Sequence, residues 1–286
     1  MKTFAIAALA LALGDAGSQP GGRIAFSAGP LEPGRSNIYV FDLGSKKLTR
    51  LTHDRGVHFD PALSPDGRRI AFRSRIGDEN YEVRVVNTDG TGLRDLTNNP
   101  AMDYAPAWSP DGRQIAFASE RRFPLPHVWV MNADGSHAHV LTRAFTGEYP
   151  AWSPDGKRLA FATNAQLTDT GFEIVVVDVN GRNARRLTHN RANDMGPAWS
   201  PNGRWIAFES GRASKRNLND IYVMHPDGSK VRRVTRGGGE LPGWSPDGKW
   251  IAYVAPGGLA VVHPDGTSKR RLQLGLELAN FASWSR

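Results

Sequence analysis

The sequence predicts an all-β fold, a six-bladed β-propeller with four strands in each blade. The first observation behind this prediction is a phrase, Ala-Trp-Ser-Pro-Asp-Gly, which recurs five times with small variations. A fixed period of about 40–45 residues is typical of propellers and other repeat arrays. The serines of the five copies, which follow one another at steps of 45, 44, 47 and 45 residues, are Ser64, Ser109, Ser153, Ser200 and Ser245.

The second observation is that every repeat contains the same four short segments in the same order. In one repeat, a first strand ends at Trp108-Ser109, an Ile-Ala-Phe strand follows at residues 115–117, a third strand covers 128–131, and a fourth ends at Leu141-Thr142. Asp-Gly turns follow the first and third strands, because glycine supplies the positive φ that tight hairpin turns need. No stretch beyond the extreme N-terminus has the apolar spacing of a helix.

The third observation concerns the two ends of the chain. Residues 22–26 form an Ile-Ala-Phe strand that no Trp-Ser strand precedes, and residues 281–285 form a Trp-Ser strand that nothing follows. We therefore expect the C-terminal strand to lie innermost in a blade whose outer three strands come from the N-terminus. This pairing gives six blades and removes two exposed sheet edges.

The N-terminus predicts export. Lys2 is followed by about ten apolar residues and then by small residues around Ala16, a pattern that resembles a secretory signal peptide and is too short to span a membrane. We therefore expect a signal peptide at residues 1–16 and a propeller domain at residues 17–286, in a periplasmic or secreted protein. An uncleaved leader on a cytosolic protein is the alternative. No other segment is apolar enough to predict a membrane span.

Composition narrows the classes of partner. The chain has no cysteine, which excludes disulfides and thiolate metal sites. Its formal net charge is +8, and many of its basic residues lie in or beside the fourth strand of each repeat, where charge protects an outer sheet edge. Because these residues are spread around a ring, we predict no nucleic-acid partner; attraction to an anionic envelope surface or polysaccharide stays open. A monomer is expected.

The five Trp-Ser-Pro-Asp-Gly copies resemble the WD40-like propeller repeat, PD40, of the TolB family, and the resemblance covers residues 22–286. It implies a six-bladed propeller that binds a partner protein at one mouth of its channel. The α/β domain that precedes the TolB propeller is not expected within these 286 residues.

The candidate partner-binding residues lie just before the Trp-Ser strands. Four repeats place an acid directly before a large apolar residue there. Since successive side chains of a strand point to opposite sides, we expect the acids to face the channel mouth and their neighbours to pack between blades. The predicted partner-binding residues are His58, Asp60, Asp103, Tyr104, Glu148, Tyr149, Asp194 and Glu240.

Carboxylates that converge on one opening suit a basic peptide segment of an envelope or secreted protein, or a divalent cation such as Ca²⁺. The competing interpretation is that each acid accepts backbone N–H bonds in the loop between blades. The loops on this face vary, at residues 121–126, 164–171 and 211–219, whereas the turns on the other face hardly do. Such variation marks the binding face of a repeat protein.

The motifs of common hydrolases are missing. The sequence contains neither Gly-x-Ser-x-Gly nor His-Glu-x-x-His. We therefore predict a non-catalytic binding scaffold, with no catalytic residues and no cofactor. The alternative is a metal-assisted lyase or hydrolase of envelope or extracellular polymers that acts at the same mouth.

Overall fold

The computed structural model describes residues 21–29, 36–75, 80–122, 125–164, 171–213, 218–274 and 279–285. Within these ranges the chain forms β-strands and turns and no α-helix, and the strands make six four-stranded antiparallel sheets. The predicted all-β propeller is therefore confirmed. The predicted signal peptide, residues 1–16, lies outside the described residues.

The blades follow one another along the chain. Blade 1 contains β1 (Arg23–Ala28), β2 (Asn37–Asp42) and β3 (Leu48–Arg50). Blade 2 contains β4 (Val57–Leu63), β5 (Arg69–Arg75), β6 (Glu82–Asn87) and β7 (Arg94–Asp95). Blade 3 contains β8 (Asp103–Trp108), β9 (Gln114–Ser119), β10 (His127–Asn132) and β11 (His139–Val140).

The remaining blades repeat this order. Blade 4 contains β12 (Glu148–Trp152), β13 (Arg158–Thr163), β14 (Glu173–Asp178) and β15 (Arg185–Arg186). Blade 5 contains β16 (Asp194–Trp199), β17 (Ile206–Ser210), β18 (Asp220–Met224) and β19 (Arg232–Arg233). Blade 6 contains β20 (Glu240–Trp244), β21 (Ile251–Ala255), β22 (Gly258–Val262) and β23 (Arg270–Arg271).

The last strand, β24 (Ala279–Ser285), belongs to blade 1 and pairs antiparallel with β1, so that Ile24 lies opposite Trp284. The indole N–H of Trp284 donates to the carbonyl oxygen of Gly21 at 2.9 Å. The innermost strands contact one another in the cyclic order β24, β4, β8, β12, β16, β20 and back to β24. The two chain ends therefore share one blade, as their sequences predict.

The core lies between the blades. The Ile-Ala-Phe strands are buried on both faces, which is why they are continuous apolar runs and do not alternate. The aromatic residue that ends this run is fully buried in all six blades, as Phe26, Phe72, Phe117, Phe161, Phe208 and Tyr253.

The recurring motif has a structural role. In blade 3 the Ser109 hydroxyl donates to Asp111 Oδ1 at 2.6 Å and accepts the N–H of Gln114 at 2.9 Å. The same two hydrogen bonds occur in all five copies. The motif tryptophan joins blades, since the indole N–H of Trp108 donates to the carbonyl oxygen of Ala62 at 3.0 Å. The repeated motif therefore closes the turn after the first strand of a blade and joins that blade to its neighbour, and together these contacts form the frame of the propeller.

This frame gives the propeller two distinct faces. Because chain direction alternates, the turns after the first and third strands of each blade share one face, which we call the turn face. The loops after the second and fourth strands share the other, which we call the loop face. The variable loops identified in the sequence are only partly within the described residues, and their described parts lie on the loop face.

Candidate functional site

The central channel is lined by a ring of residue pairs in which the second member is proline. In each pair the first residue has a left-handed φ of 51–55° and sits at a β-bulge in the innermost strand. The cavity they enclose has a volume of about 120 Å³. The pairs, one from each of blades 2 to 6, are Asp60-Pro61, Ala105-Pro106, Tyr149-Pro150, Gly196-Pro197 and Leu241-Pro242.

A positive φ is uncommon for a residue other than glycine. Strained backbone of this kind persists only where the surrounding structure enforces it, and it is concentrated at functional sites. Four of the five left-handed residues in this ring are not glycine. The ring therefore marks the channel as the first place to look for a site.

The prolines also correct the predicted alignment of the four acids. Asp103 and Asp194 stand three residues before the proline, whereas Glu148 and Glu240 stand two residues before it. The two pairs therefore occupy different positions along the innermost strand, and their side chains are directed differently. The expectation that all four acids are equivalent and face the mouth is wrong.

Asp103 and Asp194 are fully buried and held within their own blades. The Arg121 guanidinium lies 2.7 Å from Asp103 Oδ2, and Asn99 donates to the same oxygen at 2.6 Å. Asp194 makes the equivalent contacts with Arg212 and Asn190, both at 2.6 Å. These carboxylates tie the loop between blades to the innermost strand through asparagine and arginine side chains, and not through the backbone N–H bonds that the competing interpretation expected.

His58 occupies the same position in blade 2 and is also buried. Its Nε2 lies 2.7 Å from Asp54 Oδ1, and its Nδ1 lies 2.8 Å from the Ser74 hydroxyl. Burial lowers the pKa of His58, and Asp54 opposes that shift only in part. In blade 2 the strand supplies the histidine and the loop supplies the carboxylate, whereas in blades 3 and 5 the strand supplies the carboxylate. Both arrangements join the loop between blades to the innermost strand.

The acids that do gather at the loop-face end of the channel are four glutamates, which we call the loop-face glutamates. Within the described parts of the chain none of them forms a salt bridge with a cationic side chain. They come from four consecutive blades, 3 to 6. The loop-face glutamates are Glu120, Glu148, Glu209 and Glu240.

Electrostatic coupling connects these glutamates. Burial raises the pKa of Glu148, and the nearby Glu120 adds to the rise, while a hydrogen bond from the Tyr104 hydroxyl opposes it. Burial also raises the pKa of Glu209 to about 7, with a further contribution from Glu240. The Glu209 carboxylate accepts the N–H of Leu241 at 2.7 Å. Burial and mutual repulsion therefore favour the protonated form of Glu148 and Glu209, and a cationic group that entered the mouth would favour their ionisation.

Tyr149 links the two sides of the channel. Burial raises the pKa of its hydroxyl, Asp60 in blade 2, Glu148 and Glu209 in blade 5 add to the rise, and Arg73 opposes it. Asp60 itself is buried and pairs with Arg73 at 3.1 Å. Burial raises the pKa of Asp60 against the opposing effect of Arg73. Asp60 and Tyr149, which the sequence predicts as partner-binding residues, line the channel cavity, and their role in binding stays a prediction.

Glu209 and Glu120 were missed by the sequence reasoning. Both lie at the loop-face end of the second strand of their blade, and no repeated motif marks them. For Glu209 the available signal was a departure from the repeat: directly after the Ile/Leu-Ala-Phe run, blades 3 and 4 have alanine where blade 2 has Arg73 and blade 5 has Glu209, whereas Glu120 stands three residues after Phe117 and had no such signal. A charged residue at a position that other blades fill with alanine points to the channel.

No group of three His, Asp or Glu side chains in the described ranges is arranged to hold a metal ion. In the same ranges, no helix is long and apolar enough to cross a membrane. The chemistry available at the mouth is therefore that of carboxylates and tyrosine hydroxyls, which bind cationic and hydrogen-bond-donating groups.

The fold and the channel define this protein as a propeller with an acidic channel mouth. The family described as the TolB beta propeller domain, PD40, matches residues 8–149 and 144–275. Since these matches cover most of the chain, the protein belongs to that family.

Comparison with solved structures agrees. The crystal structure of TolB from Acinetobacter baumannii superposes with a TM-score of 0.80 at 20% identity, over 93% of this chain and 67% of that one. At this level of identity the likeness shows the fold.

Two curated relatives match over shorter segments. Hydrazine synthase subunit alpha of Kuenenia stuttgartiensis is 38% identical over 63 residues, which is 22% of this chain and 8% of the relative. The Tol-Pal system protein TolB of Francisella tularensis is 29% identical over 62 residues, 21% of this chain and 14% of the relative. The chain thus matches only a small part of either relative's length.

Proposed function

We propose that this protein is an exported, non-catalytic scaffold that binds a basic segment of an envelope or secreted protein at the loop-face mouth of its channel. The observation that carries the proposal is the group of loop-face glutamates, none of which forms a salt bridge in the described ranges. A Lys or Arg side chain that entered the mouth would supply the missing countercharge. Membership of a family that includes a Tol-Pal system protein supports a protein partner.

The channel is shaped for an extended segment and not for a broad surface. Its ring of proline-containing pairs encloses a narrow cavity, and tyrosine hydroxyls stand beside the carboxylates. A peptide chain that is inserted end-on or as a loop could meet both kinds of group. Association with such a charged mouth is expected to be fast and to weaken as salt is added.

The test uses a fluorescein-labelled peptide in which lysine alternates with glycine, and fluorescence anisotropy measures its Kd. The variant carries Glu120→Gln, Glu148→Gln, Glu209→Gln and Glu240→Gln, which keep the shape and remove the charge. We expect the Kd to rise roughly tenfold or more, and the parent's affinity to fall with ionic strength.

The matched control removes four charges from the turn face through Asp89→Asn, Asp134→Asn, Asp227→Asn and Asp265→Asn. Blade 4 already has Asn180 at this turn position, where it accepts the N–H of Arg182 at 2.9 Å. The control is therefore expected to fold and to bind the peptide as the parent does. Equal weakening by both variants, or no binding by the parent, would contradict the proposal. Metal-dependent turnover of an envelope polymer would instead favour the enzymatic alternative.

Export is part of the proposal and rests on the N-terminal sequence. We expect residues 1 to about 16 to be absent from mature protein purified from its native host, because signal peptidase removes such a leader. N-terminal sequencing measures this directly. An intact Met1 on protein from the cytosolic fraction would contradict export and leave the binding proposal standing.

A further inference from the structure

A second concave site lies between blades 4 and 5 on the turn face, which is the face opposite the loop-face glutamates. Its volume is about 570 Å³, within the range of small-molecule sites. Three arginines, Arg158, Arg185 and Arg204, line it together with Trp205, His225 and Asp227. We call this site the basic groove.

The charges in the basic groove are not balanced. In the described part of the chain, none of its three guanidiniums forms a salt bridge. Its one acid, Asp227, accepts the N–H of Ser229 at 2.8 Å as part of a turn. Arg185 donates one N–H to the carbonyl oxygen of Pro226 at 2.9 Å and keeps its remaining donors. Guanidinium groups bind carboxylates and other planar anions in a two-pronged geometry.

Trp205 supplies an apolar surface beside these cations. It is partly exposed, and its ring centroid lies 4.4 Å from that of His225. Blade 6 has the same pair, Trp250 and His263, at 4.0 Å, but there the tryptophan is fully buried against blade 1. The equivalent residues of blades 2, 3 and 4 are Arg69, Gln114 and Arg158.

The repeat therefore folds without tryptophan at this position. Where tryptophan is needed for packing, in blade 6, the next blade covers it. In blade 5 it packs in part against the core between blades 5 and 6, with Arg232 lying 5.7 Å from its ring centroid, and its exposed part lines the groove beside three arginines. At this junction the exposed part of the indole therefore lies beside three guanidiniums that form no salt bridge within the described ranges.

We propose that the basic groove binds an acidic oligosaccharide, a short chain of uronic acid residues. The guanidiniums would hold the sugar carboxylates, and the C–H face of a pyranose ring would pack on Trp205, whose ring offers a flat apolar surface. A phosphate group would satisfy the arginines but would add no apolar contact to the exposed part of the indole. The site and its ligand are independent of the acidic mouth.

Isothermal titration calorimetry of the full chain tests this with trimannuronate, a linear uronic acid trimer, and with mannotriose, its uncharged counterpart. We expect trimannuronate to bind and mannotriose to bind at least tenfold more weakly. The variant Arg158→Gln with Arg204→Gln is expected to raise the Kd for trimannuronate tenfold or more. Trp205→Gln, which places the blade 3 residue in blade 5, is expected to weaken binding while the charge is unchanged.

The matched control is Arg69→Gln with Arg113→Gln, the equivalent positions at the junction of blades 2 and 3. Arg69 lies over Trp108 at 4.5 Å, much as Arg158 lies over Trp199 at 5.0 Å, so both double variants lose the same charge and the same kind of contact. We expect the control to change the Kd less than twofold.

Four results would overturn the proposal: no heat of binding to trimannuronate, equal binding of mannotriose, equal weakening by the two double variants, or unchanged binding by the Trp205 variant. Displacement of the trimer by inorganic phosphate, or tighter binding of a single-stranded oligodeoxynucleotide, would reassign the groove to phosphate ligands. If the Arg158 variant melts early, Arg204→Gln alone, at an exposed site, is expected to give a smaller rise in Kd, and an unchanged Kd would overturn the proposal.

Discussion

At the scale of single residues, Glu209 shows how the channel differs from an ordinary protein surface. Its carboxyl is buried, has the backbone N–H of Leu241 and the amide of Asn219 as partners, and faces no cation among the described salt bridges. Burial raises its pKa to about 7, and Glu240 adds to the effect. The folded protein therefore keeps a proton that the unfolded chain releases at lower pH.

This difference has a measurable consequence for stability. Below the ordinary pKa of 4.5 the Glu209 carboxyl is protonated in both the folded and the unfolded state, so its titration does not lower the free energy of unfolding. As pH rises from there to about 7, the unfolded state loses its proton first, so the free energy of unfolding falls. At about 1.4 kcal/mol for each pKa unit, the fall is of the order of 3 kcal/mol. We expect Glu209→Gln to remove most of it.

Urea unfolding of parent and variant across this pH range measures the effect. Glu240→Gln is the comparison, because Glu240 is exposed and contributes to Glu209 only through repulsion. Glu240→Gln is expected to make the fall in the free energy of unfolding only slightly smaller. If the free energy of unfolding changed with pH in the same way for the parent and the Glu209 variant, the carboxyl would not be protonated in the folded state at neutral pH.

At the scale of elements, the sequence predicted the strands well because the repeat determines them locally. Each Ser-Pro-Asp-Gly turn is closed by hydrogen bonds between residues that are two and five apart, such as Ser109 with Asp111 and with Gln114. Such contacts need no knowledge of the rest of the fold. Strand order, turn position and the shared blade of the two chain ends could therefore be predicted.

The register of the innermost strands could be predicted less well. The left-handed residue before each proline introduces a β-bulge, so a shift of one residue changes which side chain faces the channel. Asp103 and Glu148 look alike when counted from their apolar neighbours and differ when counted from the proline. The alignment on the apolar neighbour was the error, and it placed two buried, structural aspartates at the mouth.

Rim arginines show a similar limit. The basic residues of the fourth strands, which include Arg186 and Arg233, were interpreted as edge-protecting charge. These two each reach a buried acid at the start of the third strand of their own blade, Glu173 and Asp220 respectively. Each pair joins the two strands of one hairpin and links residues that are 13 positions apart in the sequence. Distinguishing a structural arginine from an accessible one, such as Arg204, required the tertiary fold.

At the scale of the whole molecule, the two faces differ in charge and in shape. The loop face has a narrow channel mouth with glutamates from four blades, and the turn face has the wider basic groove between blades 4 and 5. The net charge of +8 thus conceals an acidic site. This separation is what a propeller allows, because every blade contributes one set of connections to each face.

The central claim is that the loop-face mouth is the site of partner binding, and amide hydrogen exchange tests it most directly. The chain is compared with and without the lysine–glycine peptide, at low salt. We expect added protection at the starts of β12 and β20, including the N–H of Leu241, and in the adjoining loops. We expect the Asp-Gly turns of the opposite face to exchange at unchanged rates. Protection confined to the turn face, or none at β12 and β20 with the peptide bound, would contradict the claim.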